Sequence, residues 1–121
     1  MPGNEYEKEL QAVLDRYIEI ADELNIEKVL PGIEDKLRKI ADADYTDDIK
    51  YLDSVKAMGE DCCAKLVAYY LNASGHKARY CDPAEYGLYL EHDVQGKAVI
   101  LDESYTNLAK IAEDPDTISV F

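Results

Sequence analysis

The chain has 121 residues, of which 47% are hydrophobic, and 13 Lys and Arg stand against 26 Asp and Glu for a formal net charge of -13. Such a length and composition fit one globular domain with a real core and exclude a disordered segment. No run approaches the ~18 apolar residues of a membrane span, and the acidity argues against nucleic acid and anionic membrane as partners.

The surplus of carboxylates is read as a solvated, repulsive surface that keeps the protein soluble. Glu5, Glu7 and Glu9 occupy the stretch where a signal peptide would be apolar, so the expected location is cytoplasmic.

The first predicted element is a helix over residues 4–25. Asn4 can cap it, with Glu7 at capping-box spacing. Leu10, Val13, Leu14, Tyr17, Ala21 and Leu24 recur on one face. Pro31-Gly32 punctuates the chain, and proline suits a first helical turn. A second helix is expected over 31–42, with Ile33, Leu37 and Ile40 as its stripe. A third is expected over 46–74, capped by Thr46 with Asp47 and Asp48 in its first turn. Ile49, Leu52, Val55, Leu66, Val67, Tyr70 and Leu71 carry its apolar pattern.

Gly59 interrupts that pattern. A glycine inside a helix costs about 1 kcal/mol relative to alanine, so either the helix breaks there or something approaches its backbone closely. Gly75 closes the region as a C-terminal glycine does.

Beyond Gly75 the period changes. Short strands are expected at 77–80, 86–91 and 97–101, with His92-Asp-Val-Gln-Gly96 as a hairpin-like turn. Asp102 or Ser104 is the expected cap of a last helix reaching about Glu113, with Tyr105, Leu108 and Ile111 or Ala112 facing inward. A final strand covers 118–121. The chain thus divides into a helical region, 4–75, and an α/β region, 76–121. A helix-rich front with so few strands, ending on an apolar strand, reads as a single partial domain of a larger α/β protein.

Three cysteines are present, Cys62, Cys63 and Cys81. An odd count with no CxxC pair implies reduced thiols and no zinc site. Neighbouring helical cysteines point in different directions and do not reach disulfide geometry. His76 and His92 sit at a helix end and a turn and are expected to be solvated. There is no phosphate-binding glycine loop, GxSxG or HExxH. No catalytic residue is assigned, and no cofactor or metal site is expected within this chain.

One dense constellation remains, Met58-Gly59-Glu60-Asp61-Cys62-Cys63-Ala64-Lys65-Leu66. Read from the residues alone, Glu60 is a surface or capping residue, or a carboxylate projecting into a cleft beside the space a glycine leaves. Asp61 and Lys65, four apart, form an ordinary helix-face ion pair.

Residues 58–71, Met-Gly-Glu-Asp-Cys-Cys-Ala-Lys-Leu-Val-Ala-Tyr-Tyr-Leu, resemble the Gly-Glu helix of the aspartate kinases. In their Gram-positive-like branch this helix reads Gly-Glu-Asp-Asn-Asn-Ala-Lys-Leu. The resemblance continues through Gly75-His-Lys-Ala-Arg-Tyr80, Asp82-Pro-Ala-Glu-Tyr-Gly-Leu88 and Glu103-Ser-Tyr-Thr-Asn-Leu108 to Ile118-Ser-Val-Phe121. Upstream, Arg16-Tyr-Ile-Glu-Ile-Ala-Asp-Glu-Leu24 is similar to a variable helical region of the family. Cys62 and Cys63 depart from the family's pattern.

The resemblance implies a helix-rich α/β fold, a fragment of the amino acid kinase (carbamate kinase-like) fold with about three to four helices and three to four short strands. It implies a parent enzyme that transfers the γ-phosphate of ATP, with Mg2+, to the β-carboxylate of L-aspartate, the first step towards lysine, threonine and methionine. It implies that Glu60 contacts the α-ammonium of aspartate. The family's Lys-Phe-Gly-Gly and Gly-Arg-Gly-Gly-Ser-Asp segments and ACT domains are not in these 121 residues. The chain alone is therefore expected to be inactive and to bind aspartate weakly or not at all. Its implied partners are L-aspartate and the rest of the parent kinase, itself a homo-oligomer. Two other readings stand beside this one: a non-catalytic acidic helical interaction module, and an amino acid kinase acting on another carboxylate.

Overall fold

The computed structural model describes residues 5–43 and 48–121. The caps expected from Asn4 and Thr46, Asp47, and the side chain of Asp48 lie outside the described residues. Among the described residues, helices α1 (Glu5–Leu24), α2 (Leu30–Asp42) and α3 (Asp48–Ala73) come first. Strands β1 (Ala78–Tyr80), β2 (Leu90–His92) and β3 (Ala98–Ile100), helix α4 (Asp102–Ala109) and strand β4 (Ile118–Val120) follow. Short 3-10 turns cover Glu27–Val29 and Lys110–Glu113. The fold is the helix-rich α/β arrangement expected. No helix among the described residues is long and apolar enough to cross a membrane.

The three long helices share one core. Leu14 and Ala21 of α1, Ile26 and Val29 of the connection, Ile33 and Leu37 of α2, and Cys62 and Leu66 of α3 are buried together. The stripe on α1 is narrower than the periodicity suggested, because Val13 and Leu24 are exposed. Only one edge of α1 meets the other helices.

Two helices end by the same device. Asn25 (φ 56°) and Gly75 (φ 89°) take the left-handed conformation. The next residue's amide then donates back to the last turn, Ile26 N to Ala21 O at 2.9 Å and His76 N to Leu71 O at 2.9 Å. These bonds satisfy carbonyls that a helix terminus otherwise leaves open.

β1 and β4 pair in parallel, with Ala78 opposite Ile118 and Tyr80 opposite Val120. Asn72 on α3 serves the free edge of β1. Its amide donates to Ala78 O (2.8 Å) and its carbonyl accepts from Ala78 N (3.1 Å). β2 and β3 form a separate antiparallel hairpin. Its turn is organised by Asp93, whose carboxylate accepts from the amides of Gln95 and Lys97, both at 2.9 Å.

Three expectations are corrected. The strand expected from residue 86 starts at Leu90. Residues 82–88 instead form a compact turn, with Tyr86 N bonded to Asp82 O and Leu88 N to Pro83 O. Gly87 closes it at φ 86°. Ser104 is not a helix cap. The N-cap of α4 is Leu101, without a side-chain bond. Ser104 is fully buried, accepts from Tyr89 N at 2.8 Å and donates to Tyr89 O at 3.1 Å. Tyr105, expected inside, is exposed.

Candidate substrate cleft

Gly59 lies within an unbroken α3, so the helix does not break there. Among the described residues, nothing outside its own stretch of helix comes within 4 Å of the position its Cβ would take. The next two residues, Glu60 and Asp61, both line a cleft of about 480 Å³. Lys36 and Ile40 of α2 and Ser54, Ala57 and Met58 of α3 form one wall. The turn after β1 supplies Asp82, Pro83 and Ala84, and Leu88, Leu90 and Phe121 complete the lining. Three carboxylates and one lysine therefore face a partly apolar hollow. Carboxylates so placed suit a small ligand with a cationic group, because ammonium–carboxylate hydrogen bonds are charge-assisted.

The two adjacent carboxylates differ in their partners. Glu60 is exposed and, among the described residues, makes no hydrogen bond or ion pair. Asp61 is mostly buried and is held from two sides. The Tyr80 hydroxyl of β1 donates to its Oδ1. Lys65 Nζ stands 3.1 Å from its Oδ2. That contact is one of charge without good hydrogen-bond direction, since the buried Oδ2 receives no directed donor. Lys65 also lies over the Tyr80 ring, 5.2 Å from its centroid.

The pair expected from i,i+4 spacing is thus present, but it is not an ordinary surface pair. It is part of a three-residue clasp joining α3 to β1. Burial raises the Asp61 pKa, yet the Tyr80 hydroxyl, Lys65 and the more distant Lys36 outweigh it and hold the carboxyl below the usual range. Burial first, and then the Asp61 carboxylate, push the Tyr80 hydroxyl well above the ordinary tyrosine range. The clasp fixes the backbone that carries Glu60.

The cysteines separate as helical geometry requires. Cys62 is fully buried in the helical core and Cys63 is exposed; both are free thiols, as is the buried Cys81. Burial pushes the Cys62 thiol up. Of the two, Cys62 alone packs in the core. His76 and His92 are exposed, as expected.

A second hollow of about 330 Å³ lies between β1, the 82–88 turn and α4, and Glu60 does not line it. The 480 Å³ cleft is the better candidate on chemical grounds, because it joins Glu60 to residues from four separate parts of the chain. Lys36, Asp82, Leu90 and Phe121 were not singled out as site residues from sequence. Asp82 and Phe121 were quoted within family-like segments, which is the signal that pointed near them.

No protein-family model matches the chain, and no solved structure matches it. Among curated proteins, Aspartokinase 3 of Bacillus subtilis (strain 168) is 40% identical over 104 residues, which are 85% of this chain and 23% of that protein. Over that stretch the chain is similar to part of an aspartokinase. A match of that extent cannot miss the middle of the chain, so the Gly59-Glu60 pair and the cleft-facing part of α3 fall inside the kinase-like segment. The chain spans about a quarter of the length of the curated relative it matches.

Proposed function

We propose that this chain is part of an aspartate kinase that phosphorylates the β-carboxylate of L-aspartate with ATP and Mg2+, and that Glu60 contributes to the aspartate site. The observation that carries the reading is the position of Glu60. It is a carboxylate with no partner among the described residues, at the mouth of an acidic cleft, in a segment similar to an aspartokinase. An α-ammonium group is the natural counterpart of that carboxylate. The clasp of Asp61, Lys65 and Tyr80 supports the role by holding the helix that presents it.

Phosphoryl transfer depends on positioning and on charge stabilisation of the transferring group. The acidic cleft offers one lysine against three carboxylates, an arrangement suited to the ammonium end of the amino acid and neither to its carboxylates nor to a triphosphate. The phosphate-binding parts therefore belong to the remainder of the enzyme. The 121 residues alone should release no ADP in a coupled assay with ATP, Mg2+ and aspartate.

The deciding experiment is Glu60→Gln in the complete enzyme. Losing a charge-assisted hydrogen bond costs ~1.5–3 kcal/mol, so kcat/KM for aspartate should fall about tenfold to 150-fold. An interaction equally strong in ground and transition states appears mainly in KM for aspartate. KM for ATP should change little. An unchanged kcat/KM for aspartate in a well-folded variant would remove Glu60 from the site.

A further inference from the structure

Glu60 and Asp61 are neighbours on α3 and both line the 480 Å³ cleft. An aspartate ligand carries one ammonium and two carboxylates. One free carboxylate in the cleft attracts the ammonium, and each further one repels the rest of the ligand. Asp61 is kept from being that further charge. Its pair with Lys65 is the least exposed ion pair among the described residues, the two side chains being 15% and 20% exposed. In every other pair at least one side chain is 40% exposed or more. Tyr80 grips both members. Its hydroxyl donates to Asp61 Oδ1, and its ring lies 5.2 Å from the Lys65 ammonium, a cation–π distance. Asp61 Oδ2 receives no directed hydrogen bond, so the charge of Lys65, 3.1 Å away, is what balances it. Lys65 and Tyr80 do not themselves line the cleft.

We propose that Lys65 and Tyr80 are positioning residues of the aspartate site that act through Asp61. They hold its carboxylate in the seam between α3 and β1 and neutralise it, so that Glu60 receives the ammonium. The proposal rests on the reading of Glu60 given above. A mostly buried carboxylate stripped of its partner is costly and turns towards water. Asp61 already lines the cleft, so the cleft is where it would turn. Freed there, it stands beside Glu60 as a second acidic group, competes for the ammonium and repels the ligand's carboxylates. The clasp therefore sets the charge that an incoming amino acid meets, besides tying the helix to the strand.

The test is steady-state kinetics in the complete enzyme. Lys65→Met removes the balancing charge and keeps most of the side chain's length. KM for aspartate should rise about tenfold, the effect of one uncompensated charge across a partly solvated cleft. Tyr80→Phe leaves Lys65 and the ring in place, so a smaller rise of roughly threefold is expected. In both variants kcat and KM for ATP should hold. Adding Asp61→Asn to either should bring KM for aspartate back to within about twofold of the unaltered enzyme, because the uncompensated charge is gone. A clasp that only stapled α3 to β1 would give no such recovery, since Asp61→Asn does not mend it. KM does not depend on the fraction of enzyme that is folded, so lost stability cannot imitate these results. An unchanged KM for aspartate in both single variants, or a rise that Asp61→Asn fails to reverse, overturns the proposal. Glu60→Gln in the same assay separates the possible failures. If it weakens aspartate use and the clasp variants do not, the positioning role alone falls; if it has no effect, both readings fall.

Discussion

The helical region and the α/β region are stabilised in different ways. In the first, large apolar side chains from α1, α2 and α3 are shut away from water, and Ile33 and Val29 are almost wholly buried. In the second, Leu90, Val99, Ile100, Ile118 and Phe121 all remain exposed. What holds that region is a set of side chains bonded to backbone: Asn72 to Ala78, Asp93 to Gln95 and Lys97, Asn107 to Gly87, and Ser104 to Tyr89. Apolar burial is non-directional and tolerates repacking. Hydrogen bonds of this kind are directional, contribute less each, and fail singly when one partner is removed.

The sharpest test of the contrast is Ile33→Ala. Ile33 is fully buried in the shared helical core. Removing it should cost about 2–5 kcal/mol through lost transfer energy and a cavity. Urea unfolding followed by circular dichroism measures this loss. A cost below ~1 kcal/mol would mean that the helical core is loosely packed, and the comparison would fail.

Next in size is Tyr80→Phe, which cuts one of the bonds linking the two regions. Loss of a hydrogen bond to a carboxylate should cost about 1.5–3 kcal/mol near neutral pH. The pH profile carries a second signature. Tyr80 has its folded-state pKa raised, so its contribution is complete below the ordinary value of ~10 and is lost as pH rises through the raised one. Asp61 has its folded-state pKa lowered, so its contribution is present above ~3.9 and is lost as pH falls through the lowered value. Stability of the unaltered protein should therefore fall above about pH 10. In Tyr80→Phe that alkaline loss should shrink, which stability measured across pH 8 to 11 would show.

The smallest expected effect is Ser104→Ala. It removes both bonds to the Tyr89 backbone while deleting only one oxygen. Unpaired buried groups cost about 1–3 kcal/mol, and partial exposure of Tyr89 places this case near the lower end. Hydrogen exchange should show faster opening of the hairpin and α4, with α1 and α2 unaffected. A global loss of protection would mean that the two regions unfold as one unit.

The 82–88 turn shows why the α/β region was harder to read. The string Tyr86-Gly-Leu-Tyr-Leu-Glu91 has strand composition, and a strand was expected from residue 86. A Cβ on Gly87 would stand 2.5 Å from Asn107 Nδ2. The left-handed glycine is fitted to a side chain 20 positions later, and no local pattern reveals that. Ser104 was read as a cap because serine before a helix usually is one, but its partner is Tyr89 on another segment.

By itself the sequence determined the three long helices, the left-handed Gly75 terminus and the Asp61–Lys65 spacing. These rest on interactions within a few residues, where helical period and terminal chemistry leave a local trace. The sequence selected Glu60 only through resemblance to a family. The tertiary structure alone decided that Tyr80 completes the Asp61 pair and that Lys36, Asp82 and Phe121 share a cleft with Glu60. Those features depend on which surfaces meet after the helices pack. Residues such as Lys36 and Phe121, 85 positions apart, carry no mark of one another until the chain has folded.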